Sequence, residues 1–207
     1  MNIYIDFDDC LCETARFFTG FVKKYFHKNI PYEDMHSFNL QESFRMTDEQ
    51  YKDMMIMAHS PERLLELEET PGASEVVNSW MDRGHTISVI TGRPSSAYEP
   101  SRRWLDGHGL ERAGLFCLNK YGRDTLLKDS TFTLELEDYR AMRFDLAVED
   151  SPMAFQYFAH LPELRVCVFD RPWNRRCDFP NSGYRRCVNW EEIDAEFEKT
   201  FCKAKRR

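Results

Sequence analysis

Short apolar runs recur along this chain, and each of them stops at a cluster of polar residues. The first run covers residues 2–5 and is followed directly by Asp6, Asp8 and Asp9. Runs of this length, separated by helical stretches, are typical of the strands of a parallel α/β sheet. Open sheets of this class bind their ligands at the carboxyl ends of the strands. The pattern therefore predicts an α/β fold with a polar site just after the first strand.

Four further runs predict strands, at 86–90, 115–118, 145–148 and 165–169. A helix is predicted over 73–83, between Pro71-Gly72 and Gly84. A last helix is predicted to begin at the capping pair Asn189 and Glu192 and to reach residue 201. Residues 131–136 alternate in polarity and predict an extra strand or a hairpin arm. The segment 14–70 instead shows helical periodicity without a convincing strand, and it predicts a small helical insert.

Composition limits the function classes. The net charge of -7 disfavours a long nucleic acid as a partner, because such binders usually present a basic face. No apolar stretch is long enough for a membrane helix, and no secretory signal is recognisable. Seven cysteines without a C-x-x-C pair favour reduced thiols. We therefore expect a cytoplasmic protein without a membrane partner. The sequence leaves open whether the protein forms a homodimer.

The polar clusters contain what phosphoryl transfer requires. Asp6 and Asp8 lie two residues apart and would point the same way from an extended strand end. One carboxylate can attack phosphorus while the other, with a raised pKa, donates a proton to the leaving oxygen. Asp150, with Glu149 beside it, supplies the hard oxygen ligands that suit Mg²⁺. The pattern thus indicates a magnesium-dependent enzyme acting on a small phosphomonoester.

Phosphate-binding groups are predicted after two other strands. Thr91, followed by Gly92, offers a hydroxyl and a backbone N–H, and Lys120 offers a compact positive charge. Each motif alone has an ordinary structural explanation, such as a turn or a helix start. Their shared position at predicted strand ends favours a site. Lys120 is preferred as the phosphate lysine because it directly follows a strand, with Lys128 as its rival and Arg140 third.

These residues resemble the haloacid dehalogenase superfamily. The runs 3–11, 87–91 and 146–150 are similar to its first, second and fourth motifs. The runs 69–73, 91–94, 116–120 and 169–174 are similar to the 5′(3′)-deoxyribonucleotidase group. The resemblance spans the chain and implies a Rossmann-like core of 1–13 and 71–207 with a helical C1 cap of 14–70. It departs at Cys10, where the family usually has Thr or Val, and in the thirty residues between Lys120 and Asp150.

The resemblance also implies a role for each site residue. Asp6 would be the nucleophile that forms an aspartyl-phosphate, and Asp8 the general acid and then the base. Mg²⁺ would be held by Asp6, the backbone carbonyl of Asp8, and Asp150. Thr91 and a lysine would hold the phosphate. A nucleoside monophosphate is the implied substrate.

Two groups of residues leave alternatives open. The first group could stack a nucleobase or could pack the cap's own core, and it consists of Phe17, Phe18, Phe21 and Phe44. The second group could line the rim of the site or pin a C-terminal loop, and we favour the loop-pinning role. It consists of Arg171, Trp173, Asn174 and Arg175. Rival functions are a phosphatase for another small ester, a phosphate-accepting receiver module, and a non-catalytic nucleotide-binding scaffold.

Overall fold

A computed structural model describes residues 1–120 and 133–202. Its centre is a six-stranded parallel sheet in the order β3-β2-β1-β4-β5-β6. The strands are β1 Asn2–Ile5, β2 Thr86–Thr91, β3 Gly114–Cys117, β4 Leu146–Glu149, β5 Arg165–Phe169 and β6 Tyr184–Cys187. The predicted parallel α/β fold is confirmed.

Nine helices are defined within the described residues. They are α1 Thr14–Phe26, α2 Leu40–Ser43, α3 Asp48–Ala58, α4 Pro61–Leu65, α5 Ala73–Asp82, α6 Tyr98–Gly107, α7 Leu136–Ala141, α8 Pro152–Phe158 and α9 Trp190–Phe197. Two 3₁₀ turns, Tyr32–Asp34 and Ser95–Ala97, and a π-helical end, Glu198–Cys202, complete the regular structure. In the part of the chain described, no helix combines the length and apolarity needed to cross a membrane.

The strand register brings the polar residues to one edge. Ile5 of β1 pairs with Val89 of β2 on one side and with Val148 of β4 on the other. The pairing continues one residue further, since the Asp6 amide donates to the Val148 carbonyl at 2.9 Å. The carboxyl ends of β1, β2 and β4 are therefore level. Residues that follow these strands share one edge of the sheet.

Both faces of the sheet are covered, as parallel sheets require. Along β1, Ile3 and Ile5 belong to one apolar cluster, with Trp104, and Tyr4 belongs to another, with Phe158. This alternation follows the two-residue period of a strand. A central strand buried on both sides holds its carboxyl end in a fixed position.

A helical segment, residues 14–65, lies between β1 and α5 and contains α1–α4. Its apolar cluster includes Phe18, Phe21 and Phe44, and it also takes in Trp173, which follows β5. Three of the four phenylalanines considered for base stacking are therefore buried. Phe17 is half-buried. The division into a core of 1–13 and 71–207 and a cap of 14–70 stays a prediction.

Most predicted elements are confirmed to within one or two residues, and three differ. The strand β6 was not predicted. The extra strand at 131–136 is wrong where the structure describes it, because Leu136 begins α7, and 131–132 lie outside the described residues. The last α-helix ends at Phe197. Asn189 does cap α9, accepting from the Glu192 amide at 2.8 Å, but the Glu192 carboxylate accepts from Val188 rather than from Asn189.

Candidate active site

Three buried carboxylates meet at the carboxyl ends of β1 and β4. Oxygen atoms of Asp6, Glu149 and Asp150 all lie within 4.8 Å of one another. The three residues are 3%, 0% and 1% exposed. This cluster contains three predicted site residues. Glu149, expected only beside the ligands, offers a carboxylate oxygen in the same group.

The positively charged groups around the cluster do not fully balance its negative charge. Burial, followed by repulsion from Glu149, raises the pKa of Asp6 well above its ordinary value, although Lys120 opposes this. Burial and repulsion from Glu149 and Asp6 likewise raise the pKa of Asp150, although Arg171 opposes this. A divalent cation would offset the excess charge, and an all-oxygen donor set suits Mg²⁺. The residues present therefore fit the implied metal.

Lys120 contacts this cluster from the end of β3. Its Nζ lies 2.8 Å from Asp6 Oδ1 and 3.6 Å from Glu149 Oε2. It also donates to the Tyr4 hydroxyl at 2.7 Å, and that hydroxyl donates to Glu149 Oε2 at 2.6 Å. Lys128 lies outside the described residues. Arg140 is exposed on α7 and donates to the Tyr157 hydroxyl instead, so the structure brings Lys120 and not Arg140 to the nucleophile candidate.

Tyr4 was not singled out from the sequence, and its bridging hydroxyl leads to a prediction. We expect Tyr4→Phe to raise KM several-fold, because Lys120 loses the group that orients it toward Asp6. Stability should fall by about 1.5–3 kcal/mol, as for other lost hydrogen bonds to charged groups. Steady-state kinetics and chemical denaturation measure both effects.

Tyr184→Phe is the matched control. Its hydroxyl is also buried, and it donates to the Phe155 carbonyl at 2.8 Å, away from the carboxylates. It should lose stability with kcat/KM unchanged. An unaltered kcat/KM in Tyr4→Phe would exclude a positioning role for this hydroxyl.

Asp8 lies apart from the carboxylate cluster and is paired with Arg93. The guanidinium donates to both carboxylate oxygens, at 3.0 Å from Nε and 2.6 Å from Nη2, and the Thr14 hydroxyl donates at 2.6 Å. Burial works against the charged form. The charge and hydrogen bonds of Arg93, with the bond from Thr14, outweigh it and lower the pKa of Asp8. Asp8 is thus held as a carboxylate, with 30% of its side chain exposed.

Arg93 itself is fixed on several sides. It is 2% exposed, donates from Nη1 to the Ser101 hydroxyl at 2.8 Å, and lies over the Phe7 ring at 4.1 Å from its centre. In the sequence, Arg93 was recognisable only as part of the turn after β2. A charged residue in the turn after a site strand is the signal that could have found it.

Thr91 and Gly92 lie beside Asp8 in this arrangement. The Thr91 hydroxyl is buried, lies 3.4 Å from Asp8 Oδ2 and accepts from the Arg93 amide at 3.1 Å. Gly92 is half-buried between Thr91 and Arg93. Both residues therefore reach the predicted edge. Thr91 contacts the acid–base candidate, while Lys120 contacts the nucleophile candidate.

A family model identifies the chain. The model described as 5′ nucleotidase, deoxy (pyrimidine), cytosolic type C protein matches residues 1–201. The chain belongs to this family. This match confirms the predicted resemblance to the haloacid dehalogenase superfamily and to its nucleotidase group.

Two kinds of curated relative resemble this member of the nucleotidase family. A protein provisionally named a nucleotidase, from Halalkalibacterium halodurans, is 22% identical over 171 residues, which cover 83% of this chain and 80% of that protein. The human membrane-associated phosphatidylinositol transfer protein 3 is 27% identical over 118 residues, 55% of this chain. The matched region spans only 12% of the length of that transfer protein.

Solved structures share the fold of this chain. A predicted phosphatase from Clostridium acetobutylicum superposes with a TM-score of 0.62 at 14% identity, covering 96% of this chain and 98% of that one. YfnB of Bacillus subtilis, provisionally assigned as a HAD-hydrolase and bound to magnesium, gives a TM-score of 0.55 at 15% identity over 94% and 97% of the two chains.

The loop after β5 holds Asp150 in place. The indole Nε1 of Trp173 donates to Asp150 Oδ2 at 2.8 Å, and Asn174 Nδ2 donates to the Asp150 carbonyl at 2.8 Å. Arg171 Nε donates to the Asp9 carbonyl at 2.8 Å. The interpretation that these residues pin a loop agrees with the contacts. No local sequence pattern indicated that the pinned group is the candidate metal ligand.

Asp9 adds a backbone feature to the same region. Its φ of 59° lies in the left-handed region, and its carboxylate accepts from the Ala15 amide at 2.9 Å, at the start of α1. Burial raises the pKa of Asp9 to about 7. Aspartate tolerates this backbone region better than most residues. The turn that follows the nucleophile candidate is thereby tied to the first helix.

Proposed function

We propose that this protein is a Mg²⁺-dependent phosphomonoesterase that works through an aspartyl-phosphate on Asp6 and acts on deoxyribonucleoside monophosphates. The observation that carries the proposal is the buried contact between Asp6 and Lys120 beside two further carboxylates. Phosphoryl transfer needs a nucleophile, a cation for the phosphate and metal ligands in one place. Membership of the nucleotidase family supports the substrate class.

In the first half-reaction, an Asp6 oxygen bonds to phosphorus as the bond from phosphorus to the ester oxygen breaks. Asp8 gives its proton to that leaving oxygen. In the second half-reaction, water attacks phosphorus, Asp8 takes a proton from the water, and the bond to Asp6 breaks to release phosphate. Lys120 and Thr91 would hold the phosphate oxygens. The ester is thereby hydrolysed with Asp6 and Asp8 restored.

Asp6, Asp150 and the Asp8 backbone carbonyl would hold the metal, and Glu149 is close enough to join them. A bound Mg²⁺ supplies positive charge that reduces repulsion between the nucleophile and the phosphate. The pairing of Asp8 with Arg93 favours the carboxylate that the second half-reaction requires. For the first half-reaction Asp8 must carry a proton, so the arriving phosphate would have to draw Arg93 away.

The helical segment is the proposed source of specificity. Segments of this kind exclude water and select the leaving group when they close over a site. Phe17 is the candidate for base stacking, because Phe18, Phe21 and Phe44 are buried in the segment's own cluster. Stacking on an aromatic ring contributes about 1–3 kcal/mol for each base. A cytoplasmic location and a homodimer remain part of the proposal, the first supported by the family's description as cytosolic.

A substrate panel tests the proposal. We expect Mg²⁺-dependent phosphate release from deoxyribonucleoside 5′- or 3′-monophosphates, faster than from ribonucleotides, sugar phosphates or p-nitrophenyl phosphate. Excess EDTA should abolish release, and added Mg²⁺ should restore it.

The other results identify the alternatives. Release only from non-nucleotide esters would keep the chemistry and contradict the nucleotide substrate. Metal-dependent binding of nucleotides without turnover would favour the scaffold. A single phosphorylation of the protein without turnover would favour a receiver.

A further inference from the structure

The loop of residues 170–175, here called the Trp173 loop, contacts the Asp150 carboxylate of the candidate metal site through the side chain of Trp173. The Trp173 indole N–H donates to Asp150 Oδ2 at 2.8 Å, and the Cys10 thiol lies 3.9 Å from Oδ1. Asn174 holds the backbone carbonyl of the same aspartate. The orientation of the Asp150 carboxylate therefore depends on where Trp173 lies.

The ring of Trp173 belongs to the helical segment. Trp173 is 7% exposed and is part of the apolar cluster formed by residues of α1, of α3 and of the chain between them. Its ring packs edge-on against Tyr32, with centroids 6.0 Å apart. One rigid side chain thus donates to a candidate metal ligand at its polar atom and packs in the helical segment with its apolar surface.

Charged residues on either side of Trp173 tie the loop to the helical segment as well. Arg171 Nη2 lies 3.2 Å from Glu13 Oε1, just before α1, and Arg171 is 4% exposed. Arg175 Nη1 lies 2.6 Å from Glu33 Oε2, in the 3₁₀ turn. The buried pair holds the loop more firmly than the exposed one, because solvent screens the second.

The loop is equally fixed to the sheet. Asn174 Nδ2 donates to the Phe169 carbonyl at the end of β5, at 2.8 Å. Arg186 of β6 donates to Asn174 Oδ1 at 2.6 Å and pairs with Asp170 at 2.9 Å. With anchors on both sides, a shift of Asp150 would be passed to the helical segment through Trp173 rather than absorbed by the loop.

We propose that Trp173 is a positioning residue that couples occupation of the metal site to the packing of the helical segment. The inference rests on the proposed function, because it requires Asp150 to bind Mg²⁺. Groups that orient a metal ligand typically change metal affinity by about 10–100-fold when they are removed. Coupling is reciprocal, so the metal should in turn order the helical segment.

Calorimetric titration of the substrate-free protein with Mg²⁺ tests the first part. Trp173→Phe keeps an aromatic ring and removes the N–H donor, and we expect its Mg²⁺ affinity to fall about tenfold or more. Trp80→Phe is the matched control. Trp80 is also buried, and its Nε1 also donates to an aspartate, Asp194, at 2.7 Å, but between α5 and α9. It should leave the Mg²⁺ affinity unchanged.

Hydrogen exchange tests the second part. Saturating Mg²⁺ should slow amide exchange in α1 and in the turn Tyr32–Asp34 of the wild-type protein and of Trp80→Phe. In Trp173→Phe, at its own saturating Mg²⁺ concentration, this protection should be lost. A merely structural role for Trp173 would accelerate exchange equally with and without the metal.

The outcomes separate this inference from the proposed function. Wild-type protein that binds no Mg²⁺ would overturn the metal site and the inference together. Wild-type protein that binds Mg²⁺ and hydrolyses nucleotides, with equal affinity or equal protection in Trp173→Phe, would overturn the inference alone.

Discussion

Replacing Asp6 with asparagine is expected to lower kcat by about a thousandfold or more, because the amide oxygen is a poor nucleophile and no aspartyl-phosphate can form. The measurement is steady-state phosphate release with Mg²⁺. The Asp6 carboxylate lies 2.8 Å from Lys120 and within 4.8 Å of Glu149 and Asp150, at the centre of the candidate site.

The variant should nevertheless fold. Burial and the neighbouring Glu149 raise the pKa of Asp6, so the folded state favours the protonated form more than the unfolded state does. The contribution of Asp6 to the free energy of unfolding is present at a pH below its ordinary pKa of 3.8 and is lost as the pH rises through the raised pKa. Without metal at neutral pH, Asp6→Asn avoids that loss, and its melting temperature should equal or exceed that of the wild type.

Asp145→Asn is the control for the chemical change itself. Asp145 is an exposed carboxylate at the opposite end of the sheet, where Oδ2 accepts from the Asn2 amide at 2.8 Å. Its kcat should stay within about twofold of the wild type, as expected for a surface change away from the site. Asp6→Asn retaining a tenth of wild-type activity would rule out Asp6 as the nucleophile.

The second large effect is expected for Asp8→Asn, which should lower turnover of a nucleotide by about a hundredfold to ten-thousandfold. The nucleotide's leaving oxygen needs a proton that asparagine cannot supply. With p-nitrophenyl phosphate the leaving group departs without one, so the first half-reaction should proceed and the second should stall. Rapid-mixing kinetics should show a burst of about one p-nitrophenolate for each protein chain.

The difference between the two substrates identifies the role of Asp8. Intact-protein mass spectrometry should detect phosphate on the variant after p-nitrophenyl phosphate and much less after a nucleotide. Equal impairment with both substrates and no burst would indicate that the loss of the Arg93 pair had distorted the site. Full activity of Asp8→Asn would exclude Asp8 as the acid and base.

The sequence predicted the parts of the fold that local patterns specify. Apolar runs that stop at Asp, Thr or Asn identified five of the six strands. The strand β6 was not predicted because Arg185 and Arg186 occupy the middle of its four residues. An edge strand needs only part of its surface buried, and here Tyr184 and Cys187 are buried while Arg185 is exposed. No period-two apolar signal of useful length remains in such a strand.

The site was likewise predictable only where local patterns specify its residues. Asp6, Thr91, Lys120 and Asp150 lie at or shortly after the carboxyl ends of strands, so a rule about strand ends locates them. The contacts that orient them join residues distant in the chain. Tyr4 was counted as an apolar strand residue, yet its hydroxyl meets Glu149 across 145 positions. Arg93 reaches Asp8 across 85 positions, and only the folded geometry reveals such pairs.

The central position of β1 also determines when the candidate active site is assembled during folding. β1 can pair with β2 and then β3 once the first 117 residues are available, but β4 comes some thirty residues later. Pairings between distant segments form slowly. A partly synthesised chain therefore already carries Asp6 and Lys120, yet lacks Glu149 and Asp150. The candidate site therefore becomes complete only when β4 pairs with β1.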